Sequence, residues 1–411
     1  MPNRGFSRIG VLPCPGGMAF SQKILSHLSS IAREKFQEKV QSIGKGFGLQ
    51  EKDVIRQINL AEALFSYTPE ADRPTDEYRE PNFLIPASYT HFPNGEFKTE
   101  VLSSIRDADV YVIQDVSNRY PLQFQKTAEP SVLSVNDHIF CLLVTVDAAL
   151  QAGAKRVTVV LPTYPYSRQH KKKGRESLSA ARFGQILEHY GVSRLITLDI
   201  HSKEIENTFN HLRVENLHGA YQILKCLSQV TDLKDPDLVV VSPDTGAIDR
   251  NKFYASILGK PLGMLYKERD YSRVAQNAEK GNITNMKLLG SVKGKTVFLS
   301  DDMLGTGGTL IKAMRLLKDM GAQRLVCAVS LPLFTAEAVE IVDKAYKDGL
   351  FHRLIGTNAV YHDETLLSRE WYMSADVTNL FARIIYRLHY DKSLGSLLDD
   401  RNVIKDLLRK A

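Results

Sequence analysis

The sequence predicts an α/β protein of two tandem domains, each an open, mostly parallel sheet flanked by helices. Three observations lead there. Short β-branched runs alternate with longer segments of helical period along most of the 411 residues, the order that builds parallel sheets covered by helices. Two of these runs, Val157-Thr-Val-Val160 and Val239-Val-Val241, are apolar on both faces, as strands buried between helix layers are. One junction also occurs twice. Gly153-Ala-Lys-Arg156 and Gly321-Ala-Gln-Arg324 each follow a helical segment and lead into a strand ending in Leu161-Pro162 or Leu331-Pro332. Glycine suits the left-handed residue that closes a helix. Such junctions occur in any α/β chain, but the repeat of the whole segment favours two related domains over one long sheet.

The elements follow in order. Arg8 to Pro13 reads as a strand and Phe20 to Phe36 as a helix. Val110 to Asp115 is the next strand, and Asp137 to Ala152 a helix whose apolar stripe is Ile139, Leu142, Leu143 and Val146. Val157 to Pro162 and Arg194 to Ile200 are strands around a helix from Ser177 to Tyr190. In the second half, helices are expected at Tyr221 to Val230, Ile248 to Leu258, Thr309 to Met320 and Ala336 to Tyr346. Strands are expected at Leu238 to Ser242, Thr296 to Ser300 and Leu325 to Leu331. The stretch from Lys39 to Arg79 is polar, carries turn formers near its end, and reads as an inserted excursion, partly loop. The expected domains are residues 1–219, with that insertion, and 220–411.

Composition narrows the function only broadly. An apolar share of 43% is ordinary for a globular chain, and a net charge of +6 suits anionic small molecules as well as nucleic acid. The four cysteines, Cys14, Cys141, Cys226 and Cys327, stand far apart, so no zinc ribbon or C-x-x-C redox pair is expected. They read as packing residues of a reducing compartment. The opening apolar run is too short for a secretory segment, and no stretch approaches a membrane span. The expectation is a soluble, cytoplasmic protein without a membrane partner.

Chemistry concentrates in Thr296-Val-Phe-Leu-Ser-Asp-Asp-Met-Leu-Gly-Thr-Gly-Gly-Thr-Leu310. A buried strand delivers Asp301 and Asp302 at its C-terminal end, and Gly305-Thr306-Gly307-Gly308-Thr309 opens a helix. Glycines let backbone N–H groups converge on a phosphate, the threonines add hydroxyls, and the helix N-terminus supplies positive potential. Carboxylates beside such a nest suit vicinal ribose hydroxyls and Mg²⁺. A glycine-rich βα turn alone would carry no such reading; the acid pair and the T-G-G-T sequence together do.

This segment resembles the phosphoribosyl diphosphate loop of type I phosphoribosyltransferases, and further segments narrow the resemblance to ribose-phosphate diphosphokinases. Phe92-Pro-Asn-Gly-Glu96 resembles that family's nucleotide loop, which implies that Phe92 stacks on adenine while Asn94 and Glu96 read its edge. Tyr164-Pro-Tyr-Ser-Arg-Gln-His170 resembles its Arg-Gln segment, placing Arg168 and Gln169 at ATP. Leu198-Asp-Ile-His-Ser202 resembles its Asp-x-His-Ser segment, so that Asp199 and His201 approach the metal ion and the ATP phosphates. Val241-Ser-Pro-Asp-Thr-Gly246 gives Asp244 a place near ribose and metal, and Leu265-Tyr-Lys-Glu-Arg269 resembles the catalytic loop, with Lys267 and Arg269 closing over the transferring phosphates.

The resemblance runs collinearly from about Phe92 to Leu388 and implies two type I phosphoribosyltransferase-like domains, ATP and ribose 5-phosphate as substrates, Mg²⁺, and dimers assembling into hexamers. Three positions depart from it. The family commonly has aspartate at Gly305, where it contacts ribose, and aspartate at His170; a further metal-site acid is replaced by Asn210, with Glu215 near enough in sequence to substitute. Two rival functions share parts of this pattern. A phosphoribosyltransferase consuming phosphoribosyl diphosphate needs only the one loop, and a non-catalytic regulatory subunit would show drift of the kind seen at Gly305, His170 and Asn210. Retention of Asp301, Asp302, Lys267, Arg269, Arg168 and His201 favours the enzyme. Nucleic-acid binding through Lys171 to Lys173 lacks aromatic platforms or a recognition motif.

Overall fold

The structure is a computed structural model that describes residues 8–65, 77–125, 129–172, 174–269 and 283–410, with the side chains at 60–65, 267–269, 283–285 and 410 outside the description. The first half contains β1 (Ile9–Pro13), a hairpin of β2 (Ala87–His91) and β3 (Phe97–Val101), then β4 (Asp109–Ile113), β5 (Arg156–Val160), β6 (Arg194–Leu198) and β7 (Arg213–Leu217). Apart from the hairpin, these form one sheet in the order β1-β4-β5-β6-β7, parallel throughout. The second half adds β8 (Leu238–Ser242), β9 (Leu262–Arg269), β10 (Ile283–Leu289), β11 (Thr296–Leu304), β12 (Arg324–Pro332), β13 (Arg353–Thr357) and β14 (Tyr372–Ala375). Their order is β10-β9-β8-β11-β12-β13-β14, with β10 the antiparallel strand. The α/β class with mostly parallel sheets is therefore as expected.

Helices cover both sheets: α1 (Met18–Phe47), α2 (Glu51–Phe65), α3 (Val135–Gln151), α4 (Ser179–His189), α5 (Ala220–Leu227), α6 (Ile248–Leu258), α7 (Gly308–Asp319), α8 (Ala338–Lys347), the short α9 (Glu364–Leu367) and α10 (Thr378–His389). The β5 and β12 strands are buried along nearly their whole length, as their two-sided apolar pattern requires. The repeated junction also has one geometry. Gly153 and Gly321 have φ of +85° and +88° after α3 and α7, the left-handed turn that only glycine takes without cost.

The excursion after Phe36 differs from its expectation. Helix α1 runs on to Phe47, where Gly48 ends it at φ +68°, and α2 follows within four residues. Composition misled here because most of the described residues from 37 to 59 face water. Among them only Val40, Gly44, Val54 and Asn59 are buried, and acidic Glu51 and Asp53 suit the positive start of α2.

The chain's last third crosses back. Helix α10 packs on α1, with Phe20 and Phe381 edge to face at 5.1 Å. One apolar cluster thus joins β1, β4, β5, β6 and α1 of the first half to Met303, Leu331, Val377 and Ile385 of the second. Burying Phe381 completely contributes about 2–3 kcal/mol to that contact. A polar tie sits beside it. Buried Asp109 accepts from Arg156 at 2.5 Å and pairs with His389 of α10 at 3.0 Å. Burial opposes its ionisation, yet these partners hold its carboxyl down at about 2. Among the described residues no helix is long and apolar enough to cross a membrane.

Candidate active site

In an open sheet, ligands settle beyond the strand ends where the chain reverses its direction of travel across the sheet. In the seven-stranded sheet that point lies between β8 and β11. From β8 the chain moves outward to β9 and β10, then returns to β11 and continues the other way. Both strands deliver acids there. Asp244 follows β8, where one carboxylate oxygen accepts from the Gly246 and Ala247 amides at 2.8 and 3.0 Å. Asp301 and Asp302 lie in the C-terminal half of β11.

The loop after β11 has the geometry its composition predicts. Gly307 caps α7 at φ +79°, and no side chain caps that helix start. A Cβ at Gly308 would meet open space, whereas Gly307 is the position whose backbone requires glycine. Thr306 and Thr309 are exposed around this space. The Gly305 carbonyl accepts from the Thr335 amide at 3.0 Å, so the segment after β12 buttresses the loop.

The three carboxylates crowd one another. Burial, and then the charge of Asp302, pushes Asp301 up to about 7, with Asp244 adding to the effect. Desolvation of the half-buried Asp302 acts the same way, but its hydrogen bond with His201 turns the balance and lowers its pKa.

His201 belongs to the other half of the molecule, just beyond β6, and its Nδ1 meets Asp302 directly. Arg168 reaches the same seam: its Nη1 lies 3.6 Å from where a Cβ on Gly305 would stand. The His170 ring lies edge to face with His201 at 5.3 Å. Asp302, His201, Arg168 and the Gly305–Thr309 loop, separated by up to 141 positions in sequence, thus form one site between the two sheets.

Other expected residues sit differently. Phe92, Asn94 and Glu96 occupy the exposed tip of the β2–β3 hairpin, where the Phe92 amide donates to the Glu96 carbonyl at 2.8 Å. Among the described residues no hydrogen bond or ring contact joins that tip to Arg168, His201 or the β11 loop. The exposed Gln169 packs its backbone against Tyr166 and Ala180. Lys267 and Arg269 end β9, paired with Met286 and Ile283 of β10, but their side chains fall outside the described residues. Glu215 is committed to an ion pair with Arg194, so it does not substitute for an acid at Asn210.

Asp199 departs most from the metal role that resemblance implies. It is buried, and its Oδ2 accepts from Ser330 Oγ at 2.6 Å and from the Gly219 amide at 3.2 Å. Arg250 pairs with Oδ2 at 3.2 Å, and His218 with Oδ1 at 3.0 Å. Burial opposes its charge, but Arg250 and His218 outweigh that and hold the carboxyl well below the usual range. Asp199, His201 and Asp244 accordingly do not converge; among the described residues no three acidic, histidine or cysteine side chains form a metal cage. Sequence reading missed Arg250, Ser330 and His218. The one signal available was Ser330, a serine inside the apolar run Val326 to Leu331.

Both halves of the chain match known proteins. The sequence profile for the N-terminal domain of ribose phosphate pyrophosphokinase matches residues 81–191, and that for the phosphoribosyl transferase domain matches residues 214–365. A ribose-phosphate pyrophosphokinase of Nostoc sp. is 33% identical over 76% of this chain and 86% of its own. Ribose-phosphate pyrophosphokinase 2 of Enterococcus faecalis is 31% identical over 77% of this chain and 88% of its own. In fold, the chain is similar to the phosphoribosylpyrophosphate synthetase of Mycobacterium smegmatis, with a TM-score of 0.67 at 23% identity, covering 94% of this chain and all of that one. The two open sheets are phosphoribosyltransferase-type domains, and the chain belongs to the ribose-phosphate pyrophosphokinase family of enzymes.

Proposed function

We propose that this enzyme transfers the diphosphate of ATP to the C1 hydroxyl of ribose 5-phosphate, releasing AMP and phosphoribosyl diphosphate. The observation that carries the reading is the meeting, at the β8–β11 switch point, of a phosphate loop and acid pair from one half with His201 and Arg168 from the other. Thr306, Gly307, Gly308 and Thr309 bind the 5-phosphate, so a group that does not react positions the one that does. Asp301 and Asp302 accept from the ribose hydroxyls, and Gly305 leaves room beside them. Arg168, Gln169 and His201 bind the ATP phosphates, while Phe92, Asn94 and Glu96 take the adenine. Lys267 and Arg269 offset the charge that builds as the β-phosphorus passes between oxygens.

Mg²⁺ fits the donor set of this site. Magnesium is held by one or two carboxylates together with substrate phosphates, not by an all-protein cage. Asp301, Asp302 and Asp244 supply such oxygens; burial, and then the charges of Asp302 and Asp244, push Asp301 up to about 7, and a cation would offset that repulsion. When bound, the ion neutralises phosphate charge; His201 adds a nitrogen beside the same acids, and Asp199 stays with its protein partners.

In this reading residues 1–219 and 220–411 are the two domains, and the protein is a cytoplasmic homo-oligomer, a dimer or hexamer. The test of function is AMP formation from MgATP with and without ribose 5-phosphate. Turnover that needs the sugar phosphate supports the reading. A folded protein that binds ATP and makes no AMP would sink it in favour of a regulatory subunit.

A further inference from the structure

Asp199 stands where three parts of the molecule meet. It follows β6 of the first sheet, and it is held by the connector between the halves (His218 and Gly219), by α6 (Arg250) and by β12 (Ser330). The backbone there is unusual. Asp199 has φ +44°, a left-handed conformation that costs an aspartate on the order of 1 kcal/mol and persists only where contacts fix it. Two residues later the chain delivers His201 to Asp302 of the second sheet.

Arg250 is central to these contacts. Its Nη1 donates to Ser330 Oγ at 2.7 Å and pairs with Asp199 Oδ2 at 3.2 Å, while its charge also acts on Asp302. One guanidinium therefore compensates an acid from each sheet. The connector lies against both sheets, since a Cβ on Gly219 would make ordinary contact with Thr357 Cγ2 at 3.4 Å and Asp199 Oδ2 at 3.5 Å.

We propose that Arg250, Ser330 and His218 are positioning residues, which lock Asp199 and thereby set the turn that carries His201 against Asp302 across the domain seam. The inference rests on the proposed transfer reaction only for its kinetic consequence; the lock itself is a property of the free protein. Ser330 does not touch the expected substrate positions and contributes a single hydroxyl, yet it bridges Arg250 and Asp199.

Two variants test the lock at different severity. Ser330→Ala removes the bridge and keeps every charge, so it should fold; Arg250→Met removes the shared cation, with Arg250→Lys as the conservative replacement. Expected for Ser330→Ala is a kcat about tenfold lower with KM for ribose 5-phosphate within about twofold, because a small misalignment of reacting groups costs rate more than ground-state binding. Arg250→Lys should recover at least about tenfold in kcat over Arg250→Met. Hydrogen exchange reads the lock without catalysis. In the free Ser330→Ala protein the Asp199, Ile200 and Gly219 amides should exchange at least about tenfold faster, with Val297 to Leu299 of β11 unchanged. Unaltered kcat and exchange in folded Ser330→Ala overturns the proposal, and so does equal activity of the Lys and Met variants at position 250. Absence of turnover in the wild type would defeat the reaction assigned above and leave the exchange result to decide the lock.

Discussion

Replacing Gly305 by aspartate introduces a carboxylate at the seam between the two halves of the site. Resemblance alone suggests a gain, because an acid there accepts from ribose hydroxyls and should lower KM for ribose 5-phosphate. The structure redirects that expectation. Backbone strain is absent, since Gly305 lacks a positive φ, and a Cβ has ordinary contacts at 3.6 Å with both Arg168 Nη1 and Thr335 Oγ1. The carboxylate beyond that Cβ comes within reach of the Arg168 guanidinium before any sugar is bound. Arg168 is therefore drawn away from the ATP phosphates and toward the ribose loop.

The size of the effect follows from exposure. A buried charge-assisted pair is worth about 1.5–3 kcal/mol, but Arg168 is exposed, which reduces the pair to about 1 kcal/mol. That free energy, lost when Arg168 must leave the new partner, corresponds to roughly a fivefold fall in kcat/KM for ATP. Steady-state kinetics at low salt and again near 0.5 M, roughly where exposed pairs are well screened, should show the deficit shrink. A lower KM for ribose 5-phosphate with ATP kinetics unchanged would refute the reasoning and return the role at position 305 to the sugar alone.

Further outcomes follow from the same geometry. Gly307→Ala should cost about 1 kcal/mol of stability through its φ of +79°, and a melting temperature equal to the wild type would contradict it. Gly308→Val, at a position facing open space, should spare folding and ATP binding but abolish ribose 5-phosphate binding by calorimetry; unchanged sugar affinity would misplace the phosphate. Lys267→Ala should lower kcat far more than it raises KM for ATP, and a loss confined to KM would assign Lys267 to ground-state binding. Buried His362, which pairs through Nε2 with the Pro332 carbonyl at 2.8 Å, is pushed down to about 4 by burial. The unfolded chain binds its proton first, so this contribution is complete above about pH 6.5 and falls away toward pH 4, by about 3 kcal/mol. In His362→Gln that acid-side slope should be missing from denaturant titrations, and an identical slope would exclude His362 as its source.

Much of this was legible in the sequence because it rests on local rules. The Val157 to Val160 and Val239 to Val241 strands, the left-handed glycines at 153 and 321, and the acid pair feeding a glycine loop all follow from a few consecutive residues. What was hidden depends on distant partners. Helix α10 gives no sign in sequence that its Phe381 face will meet α1, and α1 itself was cut short at Phe36 because a solvated helix and a polar loop have similar composition. Asp199 was assigned by motif to a metal ion, but its environment is supplied by residues 19 to 131 positions away, and those contacts decide what a buried carboxylate does.

Two kinds of interaction join the halves, and they answer to different demands. The α1–α10 contact is apolar and non-directional, so it holds the sheets together over a range of small displacements. The seam beyond β6 and β11 is polar and directional: Arg250 to Asp199, Ser330 to Asp199, His201 to Asp302. Such bonds weaken steeply with distance and angle, so they govern how the halves align. A variant that loosens α10 should accordingly lower stability first and activity in proportion to the unfolded fraction. A variant at the polar seam that keeps every charge, such as Ser330→Ala, should leave the protein folded and the reacting groups out of line. The split between melting temperature and kcat across these two classes thus measures a division of labour that the fold builds from one chain crossing back on itself.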